Sequence, residues 1–441
     1  MTVPGFIPES AADRTDAALR AQLAYVTAHS PFYARLWERH GADPAAVRTA
    51  ADLDRLPFTE KQLLRDSQAG APPLGEHAAA PMADVIRLHA STGTTGRPSW
   101  VGVTRSDAEG WTEAVAHALR TQGLTRDDIV IHGSGLTLFV GGLPVRDAVE
   151  RIGATLVPIG TGASEKALLA LQSMRVTALH STPSYARYLA EYLRERGHDP
   201  RAFGLRKVIV GGEPGGGEPA FRAQVEADWG AAVTEGLGNA DMAPIIFAEP
   251  PGAGGMRLTA QDIVLVELID PDTGETVPAE PGASGELVYT SLNRRSCPLV
   301  RFRTRDRVTV TGRDTDGAPL IRCVGRTDDM LIVLGVNVFP SAVRDIVQAL
   351  HPRTTGALRI LLDHPGPRVE PPLRIEVEQG KHEADATLAS EVEQLVKSRL
   401  SVPASVRLVS PGSLGRSEMK TRLVHVADGS RPRGAGSRPG R

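Results

Sequence analysis

Cysteine is nearly missing from the 441 residues, with Cys297 and Cys323 the two present. Two thiols are too few for a disulfide framework, and neither belongs to a CxxC pair that builds a zinc or redox motif, so both read as reduced thiols. Net charge is almost absent as well: 52 acidic against 50 basic residues leave −2. Without an overall positive field to attract phosphates, no nucleic-acid partner is expected. No stretch approaches the ~20 apolar residues of a membrane-spanning helix. The opening MTVPGFIPES lacks the basic-then-apolar order of a signal peptide. These absences lead to the expectation of a soluble, cytoplasmic protein with no membrane partner. Internal repeats are also missing.

What is present suits a globular enzyme, at a length that calls for one large domain and at least one smaller one. Leu19, Leu23 and Val26 recur at helical spacing over residues 10–28, and Pro31 ends that pattern. Between 129 and 211 the short apolar runs IVIH, ATLVPI, TALHST and KVIVGG alternate with the helical patterns EKALLALQSM and SYARYLAEYL, which predicts parallel strands with crossover helices. From Ile263 to Thr311 the runs IVLVELID, GELVYTS and RVTVT are separated by the turn signals DPDTG and EPGASG, the pattern of an antiparallel section. After Gly325 come LIVL, helix SAVRDIVQAL, strand LRIEVEQ, helix TLASEVEQLVKSRL and strand SVRLV. Leu388, Val392 and Leu395 give the second of these helices its apolar face.

The fold class is therefore α/β: a large N-terminal domain of parallel and mixed sheets with helices plus a β-rich section, then a small α/β domain. The domains are placed at 1–327 and 328–428, with the boundary at Thr327 and Asp328. The final GSRPRGAGSRPGR, 429–441, has nothing apolar to bury and reads as a disordered tail. Alternating strands and helices suit many enzymes, so the fold class names no reaction.

The chemistry is concentrated in Ser91-Thr92-Gly93-Thr94-Thr95-Gly96-Arg97-Pro98, directly after VIRLHA. Glycines let backbone N–H groups approach an anion, hydroxyls add donors and Arg97 adds charge, a combination suited to phosphate. A loop of this composition is also an ordinary turn when it stands alone. It lacks the GxxxxGK[ST] spacing of a Walker loop, which argues against a P-loop kinase or ATPase.

Context decides between those readings. HASTGTTGRP resembles the phosphate loop of adenylate-forming enzymes, and further segments match the phenylacetate-CoA ligase family in order. They are LPFTEKQLLRD (56–66), FVGGL (139–143), STPSYARYLAE (181–191), VIVGGEP (208–214), VELIDPDTGE (266–275), GELVYTSLNR (285–294), PLVRFRTRD (298–306), GRTDDMLIVLGVNVFP (325–340) and PGSLGRSEMK (411–420). The resemblance spans about residues 10–426. It implies ATP-dependent activation of a carboxylic acid to an acyl-adenylate, followed by transfer to an acceptor, usually coenzyme A. A homodimer and a small domain that rotates between half-reactions are further implications.

Residue by residue, the resemblance assigns Ser91, Thr92, Gly93, Thr94, Thr95, Gly96 and Arg97 to the β- and γ-phosphates. It assigns Gly212, Glu213 and Pro214 to adenine, Asp306 to the ribose hydroxyls and Arg326 to the ribose or phosphate side. Lys420 matches the lysine that bridges the substrate carboxylate and the α-phosphate, and Asp328 matches the hinge. The acyl pocket is expected between FVGGL, the GGEP strand end and the EGLGNAD loop. Phe139, Gly141, Gly142, Gly211, Gly236, Leu237 and Gly238 are its candidate lining, the small glycines leaving room for a flat ring. An aromatic acid bearing amino or hydroxyl groups is the substrate class that follows.

The sequence departs from the family at Thr234–Asp241. Glu235 stands where an adenine-stacking aromatic is usual, beside Gly236, and Asn239 stands where a magnesium-binding glutamate is usual. Asn239 and Asp241 are the candidate magnesium ligands, through a carbonyl oxygen and a carboxylate. Met419 replaces the usual glycine before the lysine, Gly415 a common proline, and Arg146 a histidine. The stretch AEPPGAGGMRL carries neither Cys nor His, so no zinc is expected. Two alternatives share these motifs: a ligase that delivers the acyl group to an amine, a hydroxyl or a carrier thiol without coenzyme A, and a relative that binds nucleotide or aryl acid without turnover.

Overall fold

The computed structural model describes residues 5–7, 9–91, 99–364, 366–380, 387–415 and 421–426. Its contacts group into two compact units, the first reaching Thr327 and the second beginning at Asp328, with Thr421 grouped with the first. The N-terminal helix Ala12–His29 buries Leu19, Leu23 and Val26. Ser30 interrupts it, and a second helix, Pro31–Arg39, restarts with proline in its first turn and the Ser30 side chain accepting from the Tyr33 N–H. Proline has no N–H to lose there.

In chain order the first unit contains strands β1 (Val85–Ser91), β2 (Ser99–Thr104), β3 (Ile129–His132), β4 (Thr155–Pro158), β5 (Ala178–Ser181), β6 (Lys207–Gly211), β7 (Ala232–Asn239), β8 (Ala243–Ala248) and β9 (Arg257–Leu258). β1 and β2 form an antiparallel pair whose register ends at Ser91 opposite Ser99. The other seven form one sheet in the order β4-β3-β5-β6-β7-β8-β9. β3 to β7 are parallel, and β8 and β9 are added antiparallel.

Alternation along these strands builds two cores. Val130, Ala178 and Ile209 pack with residues of helices Arg105–Thr121 and Leu143–Ile152. Ile131, Leu179, Val208 and Val210 pack on the opposite face with helices Ser164–Ser173, Pro183–Glu195 and Pro219–Trp229. A period of two is what lets one strand serve both faces.

The antiparallel section has four strands, β10 (Val264–Ile269), β11 (Ser284–Ser291), β12 (Phe302–Arg313) and β13 (Pro319–Arg326), in sequential order. Within it Arg301 and Glu267, 4% and 3% exposed, pair at 2.9 Å. The N-terminal segment is tied to this sheet: the Thr59 N–H donates to the Arg301 carbonyl at 2.9 Å and the Arg303 N–H to the Thr59 carbonyl at 3.0 Å.

The second unit has its own core. Its sheets are three-stranded (Leu331–Val333, Val336–Val338, Arg368–Val369) and four-stranded (Thr354–Leu362, Leu373–Gln379, Ala404–Val409, Val424–Val426). Helices Pro340–Gln348 and Leu388–Leu400 cover them. In the latter, Val396 is fully buried with Leu388 and Val392, whereas Leu395 packs at the margin. Strand Thr354–Leu362 adds to the sequence expectation, its residues alternating between buried and half-buried.

Candidate active site

The large parallel sheet fixes where a ligand can sit. The chain passes from β3 outward to β4, then returns to the other side of β3 for β5, so consecutive crossovers leave in opposite directions. In open α/β sheets the crevice beyond the carboxyl ends of strands at such a reversal is the ligand site. Those ends carry His132 and His180. Beyond them a cavity is lined by Phe139 and Gly141 of FVGGL, Gly211 and Gly212 of GGEP, and Gly236 of EGLGNAD, together with Gln122, Ser134, His180 and Ile245. Three segments separated in sequence thus meet on one space. Gly142, Leu237 and Gly238 fall outside that lining.

Most of these glycines do not hold space open for a ligand. A Cβ on Gly142 would strike the Gly135 carbonyl, one on Gly238 the Pro244 carbonyl and one on Gly141 the Phe139 ring, while one on Gly211 would lie 2.7 Å from the Gly236 carbonyl. Close approach of backbone and ring explains them. Gly236 is the exception, because its Cβ would meet nothing nearer than 3.4 Å.

His132 and His180 face each other with Nδ1 to Nδ1 at 3.1 Å, and His132 Nε2 lies 3.1 Å from the Gly142 carbonyl. Burial pushes the His132 imidazole down to about 4 and that of His180 to about 3, so both are neutral at ordinary pH.

At the ends of the phosphate-loop candidate, Lys61 Nζ donates to Ser91 Oγ at 3.0 Å and to Asp241 Oδ2 at 2.7 Å. Ser99 Oγ donates to Asp241 Oδ1 at 2.8 Å and lies 2.7 Å from Ser91 Oγ. The two strand ends flanking the loop are therefore cross-linked to a lysine and an aspartate. Lys61 is the first residue of helix Lys61–Gly70, placed by the Thr59 pairing described above. Thr92, Gly93, Thr94, Thr95, Gly96 and Arg97 lie outside the described residues, as do Lys420, Met419 and the 429–441 segment.

Asn239 and Asp241 do not form a cation cage. Both Asp241 oxygens are taken by Lys61 and Ser99, and Asn239 Oδ1 accepts the Asp241 N–H at 3.0 Å. Among the described residues no group of three or more His, Cys, Asp or Glu is arranged to hold a metal ion. The carboxylate at 241 serves a lysine where the sequence suggested a magnesium ion, a contact across 180 positions.

Asp306, 5% exposed, sits opposite Arg326 in the β12–β13 register and accepts from its Nη1 at 3.1 Å. An irregularity between Glu286 and Val288 on β11 faces Arg303 to Arg307, and Arg305 adopts φ 67°. This bulge re-aims the residues that follow, Asp306 first. Glu235 is buried rather than presented as a surface for a base to stack on. Burial raises its carboxyl to about 7, against the pull of Arg222 and a hydrogen bond from the Gly217 backbone. Arg222 pairs with Glu249 through Nη1 to Oε1 at 2.8 Å. Glu213 accepts from the Ser184 N–H and the Thr421 N–H, each at 2.8 Å, so the residue after Lys420 is tied to the GGEP strand end. Arg146, half-buried, pairs with its neighbour Asp147. Asp328 lies in the short turn Thr327–Asp329.

Sequence reasoning left Lys61, His132, His180 and Gln122 without a role. Lys61 lay within a matched segment, and His132 and His180 each closed an apolar run, the position at which parallel strands present side chains to a ligand.

Loops converging at the carboxyl edge of a parallel sheet, with an aspartate and arginine preset on an adjoining antiparallel one, are the arrangement of an adenylate-forming enzyme. The chain matches the AMP-binding enzyme family over residues 14–293 and the AMP-binding enzyme C-terminal domain over 335–428. It is 36% identical to a phenylacetate-coenzyme A ligase of Thermus thermophilus over 422 residues, 91% of this chain and 92% of that protein. It is 32% identical to that of Escherichia coli K12 over 426 residues, 94% and 95%. The crystal structure of 2-hydroxyisobutyryl-CoA ligase with 2-HIB-AMP superposes with a TM-score of 0.88 at 30% identity, covering 96% of this chain and 91% of that one. A structure of the same ligase with 2-HIB-AMP and CoA gives 0.70 at 32% identity over 96% and 91%. The chain belongs to the AMP-binding enzyme family and is a phenylacetate-CoA ligase-like, AMP-forming ligase.

Proposed function

We propose that this ligase uses ATP to activate an aromatic carboxylic acid, of the benzoate or phenylacetate type and carrying an amino or hydroxyl group, and passes the acyl group to coenzyme A. The observation that carries this reading is the convergence of FVGGL, GGEP and EGLGNAD on one small cavity of about 30 Å³. In the first half-reaction a carboxylate oxygen attacks the α-phosphorus, the bond to pyrophosphate breaks and the acyl-adenylate forms. In the second, the thiolate of coenzyme A attacks the acyl carbonyl and AMP departs.

Charge moving onto pyrophosphate needs preset donors and cations. Ser91 to Arg97 supply the former, and Lys61, held beside Ser91, adds a cation at the loop's base. Asp306, oriented by Arg326, accepts the ribose hydroxyls. Gly212, Glu213 and Pro214 line the adenine side, where Glu235 closes the space a stacking ring would fill. Lys420 bridges the carboxylate and α-phosphate, its neighbour Thr421 anchored on Glu213, and Asp328 serves as the hinge for the second step. The donor set at Asn239 and Asp241 does not fit a protein-held magnesium ion, so no step runs through one. A cytoplasmic homodimer belongs to the same proposal; among the described residues no helix is long and apolar enough to cross a membrane.

Acid-dependent ATP–pyrophosphate exchange across amino-, hydroxy- and unsubstituted benzoates and phenylacetates tests the first step, with mass spectrometry of the product testing the second. Exchange, and a thioester formed only with coenzyme A, are the expected results. An amide or ester formed without coenzyme A overturns the acceptor, and absence of exchange with every acid overturns the activity.

A further inference from the structure

The His132–His180 pair has a fixed proton order. A carbonyl oxygen can only accept, so the 3.1 Å contact between His132 Nε2 and the Gly142 carbonyl places the His132 proton on Nε2. In a neutral imidazole the other nitrogen is then bare, and His132 Nδ1 must accept. The 3.1 Å Nδ1 to Nδ1 contact is therefore donated by His180. With its one proton spent on His132, His180 presents Nε2 as a lone pair, and that nitrogen has no partner among the described residues. Burial supports the neutral form of both rings.

His180 is 7% exposed and lines the cavity at the sheet reversal. Gln122 lines the same cavity from the end of helix Arg105–Thr121, at 1% exposure. Its Nε2 is directed at Thr234 Oγ1, 3.4 Å away, and its Oε1 is buried without a partner. His180 thus faces, and the sealed Gln122 Oε1 adjoins, a space of about 30 Å³ otherwise walled by Phe139, Val145 and Ile245, room for one small polar group. A buried acceptor left unsatisfied is costly, and an incoming group that donates to both relieves that cost.

We propose that His180, its tautomer locked by His132 and the Gly142 carbonyl, acts with Gln122 as a two-acceptor reader that selects acids bearing an N–H or O–H donor over the same acids bearing a methyl group. This rests on the proposed function, since it assigns the cavity to the acyl group of an adenylated acid. His180 and Gln122 touch the substrate; His132 is a positioning residue. A site built around hydrogen-bond acceptors rejects an analogue without the donor more strongly than a hydrophobic pocket rejects a misfit, because the acceptors stay dry and unpaired.

The experiment is ATP–pyrophosphate exchange on matched benzoates, each bearing at one ring position an amino, hydroxyl or methyl group, with the full chain. For the wild type, kcat/KM for a donor-bearing acid is expected to exceed that of its methyl isostere by about tenfold or more. In His180→Leu and Gln122→Leu the ratio is expected to fall about tenfold or more, the donor-bearing acid losing far more than the methyl one. His180→Gln, which keeps an acceptor at the side-chain tip, is expected to restore part of the ratio, and His132→Leu to lower it through KM. Thermal melts establish that each variant is folded, and Gln122→Leu with His180→Gln carry the test if His180→Leu does not fold. A wild-type enzyme that turns over both classes equally, or variants that slow all acids by one factor, overturn the reader while leaving the ligase intact. Exchange with no acid in the set overturns the ligase reading and the reader with it.

Discussion

Replacing Asp241 with Asn separates a lysine-holding carboxylate from a metal ligand. Asp241 is 6% and Lys61 25% exposed, with Nζ 2.7 Å from Oδ2. Exposed pairs contribute about 0–1 kcal/mol, and removing one partner of a fully buried pair costs about 3–5 kcal/mol. This pair lies between the two, so Asp241→Asn is expected to cost about 2 kcal/mol. At roughly 2–4 °C per kcal/mol for a domain of this size, that is a fall of about 4–8 °C in Tm. Asn still accepts from Ser99 but turns an N–H toward the ammonium, releasing Lys61 from Ser91 and the base of the phosphate loop. Pyrophosphate exchange should then drop about 10–100-fold. Lys61→Met and the double variant complete a cycle in which the second substitution costs little once the first is made. Wild-type melting and exchange in Asp241→Asn would refute the reasoning. So would a loss that added magnesium reverses, since that assigns the carboxylate to the cation.

Arg301→Leu leaves Glu267 buried and unpaired, and a loss of about 3–5 kcal/mol is expected in chemical denaturation. Gly238→Ala forces a Cβ onto the Pro244 carbonyl, whereas Gly236→Ala meets nothing closer than 3.4 Å. The first should fail to fold or melt far lower, and the second should fold normally but raise KM for larger acids. His77, His89, His132 and His180 have pKa values lowered by burial to about 4, 4, 4 and 3. The unfolded chain takes up protons below about 6.5 that the native chain refuses, so stability should fall as pH drops from about 6.5 toward 4, by up to about 1.4 kcal/mol per pH unit for each ring. Denaturation midpoints that stay flat over that window would contradict the burial of these rings.

The parallel sheet was legible because runs such as IVIH and KVIVGG are buried on both faces, leaving a pattern that survives without alignment. Boundaries and helix faces were less so: Leu395 and Val396 are adjacent, and helical drift, not composition, decides which one turns fully inward. Glycine was the most ambiguous signal, since a residue that lets two backbone segments touch, as at Gly142 and Gly238, looks in sequence like one that leaves space for a ligand, as at Gly236. The functional contacts that were missed are non-local. Lys61 meets Asp241 across 180 residues and His132 meets His180 across 48, and only the crossover order of the strands brings them together. Asp241, expected as a cation ligand because a carboxylate was missing at 239, found a lysine no local pattern indicated.

Carboxylate-to-AMP oxygen transfer tests the central claim most directly. An aryl acid labelled with ¹⁸O in both carboxyl oxygens is incubated with ATP, coenzyme A and the enzyme, and the phosphorus-containing products are analysed by mass spectrometry. Attack of the carboxylate on the α-phosphorus leaves one labelled oxygen in AMP and none in pyrophosphate. Label in inorganic phosphate, with ADP formed, or unlabelled AMP would contradict acid activation through an acyl-adenylate.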